Sequence, residues 1–176
     1  MLMNQYDECD ILFTSNELIY AIKKGKSTAP GEDGITYDII RALAQVPGNP
    51  LLNLYNLSYI NGVLPDGWTI SIIYPVLKGL EKDKFRPISL TSCLCKTFER
   101  MISNRLMFRI RDSLSNKLNG FLPKRNEQQC IATFLSNNKG ITYTAFIDLK
   151  SAFDIANREI IIYELAKMNI GGKLSN

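Results

Sequence analysis

The chain contains no histidine. Without imidazole there is no Ser-His or Cys-His catalysis and no His-dependent metal site, so any chemistry must run on carboxylates, cations and metals. Cysteine is scarce too. Cys9, Cys93, Cys95 and Cys130 show no Cys-x-x-Cys spacing, which leaves no zinc signature and makes all four read as reduced, small core fillers. No apolar run approaches the ~20 residues a membrane span requires. The start, Met1 to Phe13, carries Asp7, Glu8 and Asp10 where a signal peptide would carry cations. These absences describe an intracellular chain, in the cytoplasm or nucleus, with no membrane partner. Internal repeats, low-complexity tracts and clear linkers are also missing, so a single domain is expected over the 176 residues.

What is present is an ordinary globular composition, 45% hydrophobic and 22% charged, able to bury roughly 70% of its unfolded surface. The net charge of +4 is mild but unevenly placed: residues 96–125 hold eight basic and two acidic side chains. A cationic stretch on a nearly neutral body suits a polyanion such as nucleic acid, with a solvated helix face as the alternative.

Local signals divide the chain. Thr14-Ser15-Asn16-Glu17 has capping-box spacing and opens a helix ending near Lys23-Lys24-Gly25. After the turn-forming Pro30-Gly31-Glu32-Asp33-Gly34, the residues Ile35, Ile39, Ile40 and Leu43 resume a helical period. Asn49-Pro50 starts a helix that stops at Asn61-Gly62. Ile70–Leu77 and Phe85–Leu90 predict two strands joined by a lysine-rich loop, and a proline in each places both at an edge or bulge. Lys82 and Lys84 read as solvated loop charges. Ser92 to about Ser113 predicts the longest helix, with Leu94, Phe98, Met101, Ile102 and Leu106 as its apolar stripe and Lys96, Arg100, Arg105, Arg109 and Arg111 largely off it. Gly120–Arg125 is a loop, and Gln128–Leu135 and Asn157–Lys167 are helices. Between these, Ile141–Ile147 is β-branched and aromatic enough for a strand. Asp148 sits at its end, either as an N-cap for a following helix or as a carboxylate placed to hold a divalent metal beneath a nucleotide. A lone strand without obvious sheet partners, and a chain that breaks off after Gly171-Gly172, make the sequence look like a piece of something longer.

Five blocks then occur in order: Lys26–Ile35, Leu64–Trp68 with Pro75–Lys78, Phe85–Leu90, Gly120–Arg125 and Phe146–Asp154. Together they resemble the reverse transcriptases of non-LTR (LINE-like, jockey-type) retrotransposons. The resemblance implies an α+β right-hand polymerase fold, mostly helical, with a fingers hairpin and one palm strand. Fingers would occupy about 14–140 and the start of the palm 141–176. It implies RNA-directed DNA polymerase chemistry with two Mg²⁺, an RNA template, a DNA primer and deoxynucleoside triphosphates.

By the same resemblance Asp148 is the first palm carboxylate, and the Leu149 carbonyl lies on a metal. The amides of Ser151 and Ala152 lie near the triphosphate, and Phe153 crowds the sugar 2′ position, with a core phenylalanine as its plain alternative. Arg86 grips the triphosphate and Lys78 supplies a second cation. Gly31, Gly34, Lys124 and Arg125 touch template backbone, and Arg105, Arg109 and Arg111 form the basic helix. Asp154 fits the pattern with no role derivable for it. The departures weigh as much. No aromatic-x-Asp-Asp block follows Asp154, only Glu159 and Glu164 in a predicted helix, and the family's thumb, its Gln-Gly segment and endonuclease are absent. The resemblance therefore implies a truncated enzyme, inactive as it stands. A non-catalytic nucleic-acid-binding remnant and an inert fragment with an exposed apolar edge are the rival readings.

Overall fold

The computed structural model describes residues 10–26, 28–79, 85–137 and 140–174. Cys9, Lys82 and Lys84 lie outside that set. Two compact units emerge, one from the described residues of Met1–Arg109 with Ile170–Asn176, the other Ile110–Asn169.

The first unit is built as the local signals direct. Helix α1 (Ser15–Lys24) starts with a complete capping box: the Glu17 amide donates to Thr14 Oγ1 at 3.3 Å and the Thr14 amide to Glu17 Oε2 at 2.8 Å, which satisfies two otherwise orphaned donors. Helix α2 is Tyr37–Leu43. Helix α3 (Pro50–Asn61) is capped by Asn49, whose side chain accepts from the Leu52 amide at 3.0 Å, and ends at Gly62 with φ +64°. A left-handed C-terminal residue is the conformation glycine reaches without steric cost. The short helix α4 (Asp66–Thr69), not foreseen from the sequence, delivers Trp68 to the core. Strands β1 (Ser71–Leu77) and β2 (Phe85–Thr91) pair antiparallel, and helix α5 (Cys93–Ile110) follows.

The core belongs to this unit. Phe98 of α5 stands among three aromatics, with ring centres 5.9 Å from Phe13, 5.7 Å from Tyr55 and 5.5 Å from Trp68, tilted and offset arrangements that aromatic quadrupoles favour. Leu18, Ala21, Ile22, Tyr37, Ile40 and Met101 close the cluster. The buried Tyr55 hydroxyl donates to the Leu94 carbonyl at 3.0 Å, so no polar cost is left at the centre. Cys93 and Cys95 are buried as expected, and burial together with the neighbouring Glu99 charge pushes the Cys95 thiol up to about 11, where it is unreactive. Cys130 is exposed. The core-filler expectation fails there because its helix buries nothing.

The hairpin pairs Val76 with Arg86 and Pro75 with Pro87. Opposed prolines cost least where neither amide belongs to the ladder, and a two-stranded sheet is all edge, which meets the expectation for both.

The second unit contains a one-turn 3-10 helix (Arg111–Ser113), α6 (Glu127–Asn137) and α7 (Arg158–Lys167). Neither α6 nor α7 has a buried residue. The expected palm strand is corrected here: residues 141–149 are irregular, with Phe146 95% and Ile147 92% exposed. Strand propensity needs a neighbouring strand to accept its ladder bonds, and among the described residues none lies in this unit.

Candidate nucleic-acid interface

Arg86 and Lys78 are held by the hairpin. Arg86 sits across the ladder from Val76, and Lys78 lies two residues beyond Val76, just past the end of β1. Both are exposed, so the register offers two cations at the same end of the hairpin, where an anion can reach them.

The Pro30–Gly34 turn is fastened to the start of α5. The Gly34 amide donates to the Gly31 carbonyl at 3.1 Å, the Ile35 amide to Asp33 Oδ1 at 3.1 Å and the Ser92 hydroxyl to Asp33 Oδ2 at 2.6 Å. Ser92 Oγ in turn accepts from the Leu94 amide at 3.1 Å, acting as an N-cap. Two separate sequence blocks, 30–34 and 85–92, are thus locked through one carboxylate and one hydroxyl. Gly31 is buried here: a Cβ added to it would stand 2.6 Å from the Ser92 nitrogen and 2.9 Å from the Thr91 carbonyl carbon. Its glycine requirement comes from this packing. Gly34, at φ +65°, is exposed with open space around it.

The basic helix also divides. Arg105 was expected on the solvent side, but its guanidinium clamps Glu17 with Nε to Oε1 at 2.6 Å and Nη2 to Oε2 at 2.9 Å. It also donates to the carbonyls of Ile11 and Leu12 and lies over the Phe13 ring, 4.2 Å from its centre. With its donors committed and its side chain 12% exposed, it is a structural residue and not a phosphate ligand. Burial raises the Glu17 carboxyl, but the Arg105 hydrogen bond, the Thr14 amide and the Arg105 charge outweigh it and hold Glu17 below the ordinary carboxylate range. Arg125 Nη1 donates to the Asn116 carbonyl at 2.7 Å and the Leu118 carbonyl at 2.8 Å, closing its own loop. Arg109, Arg111 and Lys124 are exposed.

In the second unit the chain turns at Ser151, φ +54°, where the Ser151 carbonyl accepts from the Asp154 and Ile155 amides at 3.0 and 3.1 Å. Asp148 caps no helix. The N-cap of α7 is Asn157, which accepts from the Glu159 and Ile160 amides at 2.9 and 3.2 Å, so the capping alternative for Asp148 falls. Phe153 is 85% exposed, which removes its core alternative, and its ring meets that of Phe121 edge-on at 6.2 Å. Two of the five blocks, 120–125 and 146–154, therefore touch. Asp148 and Leu149 are exposed as well.

An acidic turn follows an apolar run in the second unit, and the hairpin of the first unit carries an exposed arginine. A family model for reverse transcriptase (RNA-dependent DNA polymerase) matches residues 76–175, more than half of the chain, and the chain belongs to that family. It is also similar to two proteins named Retrovirus-related Pol polyprotein from type-1 retrotransposable element R2. One, from Popillia japonica, is 27% identical over 91% of this chain and 23% of its own length. The other, from Nasonia vitripennis, is 24% identical over 92% and 16% respectively. The chain thus spans about a quarter or less of the length of the curated relatives it matches. It is related to the Pol polyproteins of non-LTR retrotransposons.

The family uses Mg²⁺. Among the described residues no three His, Cys, Asp or Glu side chains gather to hold a metal ion. One carboxylate and one carbonyl fall short of the near-octahedral oxygen set Mg²⁺ demands, so these residues do not make a metal site by themselves. No described helix is long and apolar enough to cross a membrane.

Proposed function

We propose that this chain is the fingers and the first part of the palm of a right-hand RNA-directed DNA polymerase from a LINE-like element, extending a DNA primer on an RNA template with deoxynucleoside triphosphates. The observation that carries the reading is the family match over 76–175, which takes in Lys78, Arg86 and the Asp148–Phe153 turn. The relatives found are R2 elements, so the jockey-type subgroup rests on the motifs alone.

In this reading Asp148 and the Leu149 carbonyl are the chain's share of the metal site. Arg86 and Lys78 take the triphosphate. The amides of Ser151 and Ala152 have no intramolecular acceptor among the described residues, the condition for a backbone anion site. Phe153 crowds the sugar, and its exposed ring is in the right state to do so. Gly34, Arg109, Arg111 and Lys124 contact the template, while Gly31 and Arg105 hold the first unit together and Arg125 closes its own loop.

The test is a chimera in which this chain replaces the matching stretch of an R2 polymerase. It should extend a primer on RNA, while the 176-residue chain alone should not. In the chimera Phe153→Ala should raise the ratio of ribonucleotide to deoxynucleotide incorporation about tenfold, since removing the ring lifts a steric discrimination of that order. A folded chimera that never incorporates, or a ratio unmoved by Phe153→Ala, would overturn the assignment.

A further inference from the structure

A cleft of about 290 Å³ in the first unit, lined by Lys24, Lys26, Thr28, Tyr37, Lys96 and Arg100, belongs to none of the sites above. Four of its six lining residues are cationic and none is acidic. Among the described residues, no carboxylate ion-pairs with any of the four. Of the carboxylates close in sequence, Asp38 binds Arg41 at 2.6 Å, Asp33 takes the Ser92 hydroxyl and Glu99 interacts with the Cys95 thiol.

The floor of the cleft is built. Tyr37 is buried, its ring pressed so closely on Gly25 that an added Cβ there would lie 2.3 Å from Cε1. Arg100 Nη1 donates to the Ala21 carbonyl at 2.9 Å and to the Tyr37 hydroxyl at 3.3 Å. The bond to Ala21 satisfies a carbonyl at the negative end of α1, and the two bonds together fix the guanidinium in the lining. Lys24 and Lys26 are exposed and Lys96 half-buried, and Thr28 and Tyr37 add hydroxyls to the lining. Unpaired like charges held together repel, and such a concavity lowers its energy by taking a multiply charged oxyanion.

We infer that this cleft binds a backbone phosphate of a nucleic-acid strand. The inference rests on the nucleic-acid reading above and adds a contact remote from the Asp148 turn in sequence. A diester phosphate offers two charged oxygens to several point-charge lysines and needs no base contact, so the site holds the strand without reading its sequence.

The experiment compares the 176-residue chain with its Lys26→Ala/Lys96→Ala variant in binding a labelled RNA oligonucleotide across a salt series. Loss of one phosphate contact should reduce the slope of log K against log salt by about 0.7, equally on unrelated sequences. Arg158→Ala/Lys167→Ala, the same charge change on α7, should leave that slope in place. An equal fall in this control, or no fall in the cleft variant, overturns the site while leaving RNA binding standing. No RNA binding by the unaltered chain overturns both. Inorganic phosphate, followed by NMR at the amides of Lys26, Thr28 and Lys96, separates the sources of the ligand. RNA should displace it, and phosphate-induced shifts that RNA cannot reverse would make this a free-phosphate site and sink the inference.

Discussion

Arg105→Ala should lower the unfolding free energy of the chain by about 3 kcal/mol, read as a drop in urea midpoint at constant slope. The substitution strips Glu17 of both guanidinium bonds, frees the carbonyls of Ile11 and Leu12 and removes a cation from the Phe13 face. Breaking a buried pair costs roughly 3–5 kcal/mol, and the lower end applies because the Glu17 side chain keeps 31% of its exposure. Arg105→Lys keeps the charge but not the fork, and should recover only part of the loss. The pH dependence has a definite sign. Glu17 is held below the ordinary carboxylate range in the folded state, so its contribution is complete above the unfolded value of ~4.3 and fades as pH falls through the folded one. The gap between the parent and Arg105→Ala should therefore narrow in acid. A gap that widens there would show that some other contact of Arg105 carries the stability.

Gly31→Ala should cost about 2 kcal/mol, within the range for forcing an extra methyl into packed surroundings. The atoms in its way are the backbone of Thr91 and Ser92, at 2.6–2.9 Å, which cannot rotate aside as a side chain would. Displacing them also stretches the Asp33 to Ser92 bond and disturbs the cap of α5. Gly34→Ala, in open space at φ +65°, meets only the left-handed penalty of roughly 1 kcal/mol. Equal losses at the two positions would mean that Gly31 is conformationally and not sterically required.

Much of the first unit was legible because its signals are local. Thr14 and Glu17, Asn49 with Pro50, and Gly62 each mark a helix end through bonds spanning a few residues. Arg105 was not, because its partner lies 88 residues away. A trace of it was present: Phe98, Met101 and Arg105 follow i, i+3, i+7 spacing, which puts the arginine in the apolar stripe rather than beside it. Gly31 was singled out correctly as a position needing glycine, but whether strand or solvent approached it depended on where Ser92 folds. The failure at 141–147 is of another kind. Residue preference for strand was read properly, and what was missing was a second strand to bond to. Separation in sequence likewise hides the contact of Phe121 with Phe153.

The bare segment at 141–149 has a kinetic signature. With no ladder and almost no burial, its amides should take up deuterium at close to the rate of a free peptide. Those of α1 and the first half of α5 should wait for opening of the core. In a short labelling pulse followed by mass analysis, the peptide that carries the candidate catalytic carboxylate should be the fastest-exchanging stretch of described chain.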